Sequence, residues 1–186
     1  MRTPVVVIGL ILATVPSAAA QSLDAYAGRW VPKELVDSAG RELADTSIQI
    51  RPPLQPITDG RLSPEDRRRY RIFVGIAQPS RNIVFTPAGD TVTVTYNDET
   101  TFTLLVGGQP LQDSLGGEIP LRVRARWDDR NLTIEFEPEG GGRYRETYAL
   151  ADSGVFLRVD ARIDWGKIRG QAGWSEMYRK VADPQP

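Results

Sequence analysis

The chain has 186 residues, with 23 Lys and Arg against 24 Asp and Glu, so its formal net charge is −1. It contains no His and no Cys, which excludes Ser-His triads, thiolate nucleophiles, disulfides and the usual zinc or copper ligand sets. Nucleic-acid binders normally show a net basic charge on one face, which this balance argues against. We therefore expect a protein that is not an enzyme, holds no metal or cofactor and binds no nucleic acid.

The first twenty residues have the features of a secretory signal peptide. A positive charge at Arg2 precedes an apolar stretch over residues 5–15, and small residues close the segment at positions 18–20. The apolar stretch is shorter than the roughly 20 residues of a transmembrane anchor. The sequence predicts a signal peptide over residues 1–20, a single domain over residues 21–186, no transmembrane anchor and a periplasmic or secreted bacterial protein.

The first part of the predicted domain combines short strands with a proline-rich connection. Residues 28–31 and 46–51 have extended, alternating patterns, and prolines end the second of them. The following segment, residues 51–62, has two open interpretations. It is either a lid over a barrel mouth or a plain surface connection.

A helix is predicted after this segment. Ser63 is a suitable N-cap, Pro64 is favoured at the first helical position, and the next two residues are acidic. Apolar residues then recur at helical spacing: Tyr70, Phe73, Val74 and Ala77. We predict one short helix near residues 64–77 that lies against or across a barrel. The arginines of its other face are either solvated or contact an anionic lipid or polymer.

From residue 82 onward the pattern is that of consecutive strands. Strand signals cover residues 83–85, 91–96 and 102–106, then the run 121–165 with three hairpin turns, and a closing strand over 175–180. The fold class is therefore all-β, an antiparallel up-and-down barrel of about 8–10 strands, closed or nearly closed, with one short helix.

The outward residues of the run 121–165 form a ladder of opposite charges. One row across the four strands is predicted to read Arg124, Glu135, Arg145 and Asp160. The same register places Arg143 opposite Arg162, which is its one clash. Such a ladder specifies register more than it stabilises the sheet, because solvated pairs contribute little. The interpretation is a solvated structural ladder, with a charged surface for a partner as the alternative.

One acid, Glu146, falls on the inward row of the third strand of this run, between Tyr144 and Tyr148. A buried carboxylate requires a hydrogen-bond donor or a cation, and otherwise its pKa rises. The partner is expected to be an arginine or a tyrosine hydroxyl, or solvent at an open end. The alternative is a ligand-facing acid. Strand parity supplies no second inward acid near Glu146, which argues against a glycosidase-like carboxylate pair.

The opening Gly28-Arg29-Trp30 resembles the G-x-W motif of lipocalin-like barrels. The whole predicted domain also resembles uncharacterised secreted bacterial lipocalin-like β-barrel proteins in a helix beginning Ser63-Pro64, strands like 91–96, 124–127 and 132–135, and a final Tyr178-Arg179. The resemblance implies a lipocalin-like fold in which Arg179 packs over Trp30 as a cation–π contact that closes the barrel.

Two functions remain open from the sequence. The first is binding of a small apolar or amphipathic ligand or lipid inside the barrel, with Tyr144, Glu146, Tyr148 and Trp127 at the wall. The second is a cell-envelope interaction or assembly module whose barrel is filled and which acts on an envelope partner through its surface.

Overall fold

A computed structural model describes residues 22–43, 63–65, 67, 77–115, 119–164 and 172–182. The strands are β1 Gly28–Pro32, β2 Ile83–Ala88, β3 Thr91–Tyr96, β4 Thr100–Leu105, β5 Leu111–Leu115, β6 Ile119–Asp128, β7 Asn131–Pro138, β8 Arg143–Ala151, β9 Phe156–Asp164 and β10 Ala172–Val181. Short 3-10 turns are formed by Leu23–Tyr26, Lys33–Leu35 and Asp152–Gly154.

All ten strands belong to one antiparallel sheet with the order β4-β3-β2-β1-β10-β9-β8-β7-β6-β5. The first and last strands pair with each other, with Trp30 opposite Lys180. The edge strands of the sheet, β4 and β5, do not pair with each other. Val106, the residue after β4, instead forms a parallel bridge with Ala125 on β6. The Gly107 amide donates to the Ala125 carbonyl at 2.8 Å. The predicted all-β up-and-down barrel is therefore confirmed as a ten-stranded, nearly closed barrel.

Most predicted strands are found close to their predicted bounds, and one strand was missed. β5, Leu111–Leu115, follows the Gly107-Gly108 turn and has no strong alternation of its own. The predicted strand at 46–51, the whole segment 51–62 and the signal peptide 1–20 lie outside the described residues.

Only the first turn and the last residue of the predicted helix 64–77 fall within the described residues. Pro64, Glu65 and Arg67 are helical, and the Arg67 amide donates to the Ser63 carbonyl at 3.0 Å. Ala77 is fully buried in the main core. Within the described part of the chain, no helix has the length and apolarity needed to cross a membrane.

The barrel interior holds the main hydrophobic core, which follows from the alternation of the strands. In β3 the inward Val92, Val94 and Tyr96 are buried, while the threonines between them are partly exposed. Two inward side chains of β10 hold the chain that leads into β2. The Trp174 indole donates to the Ala77 carbonyl at 2.7 Å, and the Tyr178 hydroxyl donates to the Ser80 carbonyl at 2.8 Å. Residues 77–80 therefore pack against the barrel interior.

The charge ladder is confirmed between β6, β7 and β8 and differs between β8 and β9. Arg124 and Arg145 lie opposite Glu135 as predicted. In the next pair the register is shifted by two residues, so that Arg145 lies opposite Arg162 and Asp160 lies opposite Thr147. The predicted Arg145–Asp160 pair and Arg143–Arg162 clash are therefore wrong.

The turn between β8 and β9 explains the shift. Ala151 remains in the strand and pairs with Phe156, so the connection consists of residues 152–155. Asp152, Ser153 and Gly154 all have positive φ. The predicted register corresponds to a turn of residues 151–154 with Val155 already in the strand. The observed turn moves the pairing by two residues without changing which side chains face inward.

Candidate functional site

The inward face of the barrel carries a polar cluster, which consists of Glu146, Tyr96, Tyr144 and Tyr148 and is called the Glu146 cluster here. β8 contributes three alternate residues, and β3 contributes Tyr96 from its last position. Glu146 is only 2% exposed. The three β8 residues therefore face inward as predicted, because alternate residues of a strand lie on the same face.

Three tyrosine hydroxyls donate to the Glu146 carboxylate. The Tyr144 hydroxyl lies 2.6 Å from Oε1, and the Tyr96 hydroxyl lies 2.9 Å from Oε2. The Tyr148 hydroxyl also donates to Oε2, and it is 2.8 Å from the Tyr96 hydroxyl. Of the partners expected from the sequence, tyrosine hydroxyls are therefore the ones present.

The cluster binds its proton more tightly than a solvated carboxylate would. Burial raises the pKa of Glu146 above its usual value, and the three hydroxyl donors offset this only in part. Burial and the nearby Glu146 charge raise the pKa of Tyr96, Tyr144 and Tyr148 well above the usual tyrosine value. The tyrosines therefore stay protonated and act as donors.

Aromatic rings surround the cluster. The Phe85 and Tyr148 ring centroids are 5.1 Å apart in an edge-on arrangement, and Phe136 stacks on Tyr144 at 5.5 Å. Phe102 contacts Phe136 at 5.6 Å. These contacts join β2, β4, β7 and β8 across the barrel and place aromatic side chains around the carboxylate.

Trp127 lies at the rim of the barrel rather than deep in its wall. Its side chain is 37% exposed, and its ring is 6.0 Å from that of Tyr26. The Tyr26 hydroxyl donates to the Tyr148 carbonyl at 3.0 Å, so the 3-10 turn Leu23–Tyr26 packs against β8. Trp127 therefore contacts Tyr26, and Tyr26 in turn contacts Tyr148 of the cluster.

The cation over Trp30 is Lys180 and not the predicted Arg179. Lys180 Nζ is 5.5 Å from the Trp30 ring centroid. Arg179 lies opposite Val31, on the other face of the sheet, and donates to the Asp37 carbonyl at 3.0 Å. The resemblance identified the correct pair of strands, but the register of β1 on β10 selects the neighbouring residue.

Two inward residues that bear on the site were missed or misjudged. The alternation over residues 91–96 puts Tyr96 on the same face as Val92 and Val94, but no pattern in the sequence indicates that β3 and β8 meet across the interior. Glu176, opposite Val159 on β9, is a second buried inward acid, which the prediction of no second inward acid near Glu146 left out of account. Glu146 lies opposite Ala161, so β9 separates the two acids.

Among the described residues, no group of three or more His, Asp or Glu side chains is arranged to hold a metal ion. The Glu146 carboxylate and its hydroxyl donors form a hydrogen-bonding site inside an apolar wall.

No family model matches the chain, and no curated protein matches it. Solved structures of similar shape include a protein titled REP1-NXSQ fatty acid transporter, with 10% identity, a TM-score of 0.42 and coverage of 60% of this chain and 78% of that one. A luciferase domain from the dinoflagellate Lingulodinium polyedrum has 15% identity and a TM-score of 0.48, with coverage of 86% of this chain and 44% of that one.

Secretory abundant heat soluble protein 4 from Ramazzottius varieornatus has 12% identity and a TM-score of 0.44, with coverage of 84% of this chain and 95% of that one. At these identities the likenesses concern the barrel alone.

Proposed function

We propose that the protein is an exported, non-enzymatic barrel that binds a small amphipathic molecule in its interior, with the polar end at the Glu146 cluster. The observation that carries the proposal is a carboxylate with three hydroxyl donors inside an apolar barrel. Burying such a group costs free energy even when it is hydrogen-bonded, so a cluster without a binding role would be a costly way to fill a core.

The chemistry of the cluster selects the class of head group. Glu146 offers oxygen acceptors, and the tyrosine hydroxyls accept hydrogen bonds as well as donate them. A head group that donates, such as an amine or a hydroxyl, complements these groups. A carboxylate head group would place a second negative charge beside Glu146, which disfavours it.

Export and the absence of catalysis are part of the same proposal. The signal-like residues 1–20 support export. The lack of His and Cys supports a binding role, because the commonest general bases and nucleophiles are missing from the chain. Because Glu176 is a second buried inward acid, catalysis by a pair of carboxylates has to be tested. Hydrolysis of any of a panel of glycosides by the purified protein would contradict the proposed absence of catalysis.

A second function, an envelope interaction or assembly module with a filled barrel, is favoured by a different observation. The described interior is occupied by aromatic rings in mutual contact, including Tyr26, Phe85, Tyr96 and Phe136. A ligand at Glu146 would require some of these rings to repack. If the interior admits nothing, the protein acts through its outer surface on an envelope partner.

Native mass spectrometry of the protein isolated from its own cell envelope separates the two functions. The proposal predicts a stoichiometric adduct whose mass survives gentle desolvation and is lost on solvent extraction. A bare protein mass, unchanged after incubation with total envelope lipids, would contradict interior binding and support the filled barrel.

A panel of three single-chain compounds with the same tail tests the head-group class. We expect dodecylamine and dodecanol, below their aggregation concentrations, to bind with affinity about tenfold above that of dodecanoate, because of the charge repulsion at Glu146. Isothermal titration calorimetry gives the three affinities. Equal affinity for dodecanoate would contradict the assignment of Glu146 as the head-group partner.

The variant Glu146→Gln removes the negative charge and keeps the size of the side chain. We expect it to weaken dodecylamine binding by about tenfold, since one charge-assisted hydrogen bond is lost. Glu176→Gln is the matched control, because it changes the other buried inward acid and should leave the affinity within about twofold. An equal loss of affinity in both variants would contradict the assignment of Glu146 to the binding site.

A further inference from the structure

The outer face of β8, β9 and β10 carries a depression of about 840 Å³ that is separate from the barrel interior. Its polar lining comes from Arg145, Thr147, Arg158, Asp160, Arg162 and Ser175. Three guanidinium groups and two hydroxyl groups therefore meet on one patch of the sheet exterior, which is called the Arg162 patch here.

Small residues on β10 create the space beside Arg162. Gly173 lies opposite Arg162, and Ser175 lies opposite Asp160. A Cβ atom at Gly173 would approach the Ala161 carbonyl oxygen to 2.4 Å, so no larger residue fits there without moving backbone. The glycine thus keeps β10 close to β9 and leaves the outer surface next to Arg162 open.

The three arginines differ in how their charge is balanced. Arg145 Nη2 is 2.7 Å from the buried Glu135, and Arg158 Nε is 2.9 Å from Asp160. Among the residues that the structure describes, no hydrogen-bond or ion-pair partner is found for the Arg162 side chain. Arg162 therefore holds the charge on this patch that remains available to a ligand.

The register makes this charge costly. Arg145 and Arg162 lie directly opposite each other on β8 and β9, and like charges in this position destabilise a sheet. Glu135 is shared among Arg124, Arg126 and Arg145, so its charge does not also neutralise the guanidinium of Arg162.

Asp128 also lines the depression and balances only part of the excess. Counting it, five arginines of the patch and its border face four carboxylates, those of Asp128, Glu135, Glu137 and Asp160, since Arg124 also pairs with Glu137 at 3.2 Å.

We propose that the Arg162 patch binds a tetrahedral oxyanion, a phosphate or sulfate group, between Arg145 and Arg162. Guanidinium groups bind such oxygens in pairs of parallel hydrogen bonds, and the hydroxyls of Thr147 and Ser175 lie on the same patch as additional donors. A bound anion would also remove the repulsion between the two opposed arginines. The site is independent of the ligand proposed for the interior.

Binding is measured by titrating the purified protein with inorganic phosphate and with sulfate, against sodium chloride at equal ionic strength. The readouts are the side-chain Nε–Hε resonances of the arginines and the melting temperature. We expect saturable shifts confined to the arginines of the patch and a higher melting temperature than in chloride. Equal effects of chloride and phosphate would overturn the proposal, because they would show screening alone.

Arg162→Gln is the test variant, and Arg122→Gln is the matched control. Both residues are exposed arginines on the outside of the same sheet, but Arg122 lies on β6 and pairs with Glu137 at 3.4 Å. We expect Arg162→Gln to weaken phosphate binding about fivefold or more and Arg122→Gln to change it by less than about twofold.

The melting temperature of Arg162→Gln relative to the wild type should change sign between chloride and phosphate. In chloride, Arg162→Gln should melt at the same temperature as the wild type or higher, because the like-charge pair is gone, and phosphate should reverse that order. Unchanged phosphate affinity in Arg162→Gln would overturn the proposal.

The source of the oxyanion is distinguished with vesicles. Binding to phosphatidylglycerol vesicles but not to phosphatidylcholine vesicles, lost in Arg162→Gln, supports the site and identifies a lipid head group as its ligand. Phosphate or sulfate binding without vesicle binding supports the site for a soluble anion. Vesicle binding that Arg162→Gln leaves unchanged, with no binding of either free anion, would overturn it.

Discussion

Glu135 and Glu146 are the two most deeply buried glutamates among the described residues, and different kinds of group stabilise each of them. Glu146 faces inward and is held by tyrosine hydroxyls, and burial raises its pKa. Glu135 faces outward under Arg124, Arg126 and Arg145, and it is 1% exposed. Burial alone would raise the pKa of Glu135, but the arginine charges and hydrogen bonds hold it below its usual value. We had expected the outward row to be solvated, and around Glu135 it is not.

The raised pKa of Glu146 predicts a pH dependence of stability. The folded protein holds this proton more tightly than the unfolded chain, so stability is fully present below the unfolded pKa near 4.5 and falls as pH rises toward the folded pKa. The slope has a limit of about 1.4 kcal/mol per pH unit. Glu146→Gln should lose this component. Urea unfolding of both proteins between pH 4 and pH 8 measures it, and two parallel curves would contradict the prediction.

The contact of Lys180 with Trp30 predicts a coupling between these two side chains. In a double-mutant cycle, Lys180→Met and Trp30→Phe should show a coupling of about 0.5–1 kcal/mol in the free energy of unfolding. The same cycle with Arg179→Met is the control and should show no coupling, because Arg179 binds the Asp37 carbonyl instead. The reverse result would restore Arg179 as the closing residue.

At the scale of elements, alternation determined most of what the sequence could predict. The inward residues of β3, β6, β7 and β8 follow from parity, because a period of two leaves each side chain one choice of face. Pairing across a turn depends on which residues the turn contains. At the β8–β9 turn, neither Ala151 nor Val155 has a strong enough preference to show which of them belongs to the turn. The approach of Tyr96 to Glu146 depends on curvature of the whole sheet, which parity does not contain.

The turn Asp152–Gly154 provides a test of how the β8–β9 register is fixed. Gly154 has φ +87° with open space around its Cβ position, so Gly154→Ala should cost about 1 kcal/mol from backbone conformation alone. Ser153 has φ 56°, so Ser153→Gly should cost nothing or stabilise slightly. Thermal unfolding of both variants checks the opposite signs, and a larger loss for Ser153→Gly would contradict the turn.

For the whole molecule, the proposed export makes a prediction about the intact chain. When the full sequence is expressed in a bacterium with its own first twenty residues, the protein should be recovered from the periplasm or medium with Gln21 as its first residue. Intact-mass measurement and N-terminal sequencing of the recovered protein check this. A full-length protein retained in the cytoplasm would contradict it.

The pairing of β1 with β10 has a consequence for the order in which the barrel is assembled. Strands β2–β4 and β5–β10 are each joined through local hairpins, but β1 connects the two sets only when β10 is present. The pairing of Arg29 with Val181 closes a loop of most of the chain, and such long-range contacts form late and slowly. A chain leaving the ribosome amino end first can form its hairpins one after another. Among the described strands, the two sets are then joined by the bridge between Val106 and Ala125 alone until synthesis has passed the last strand.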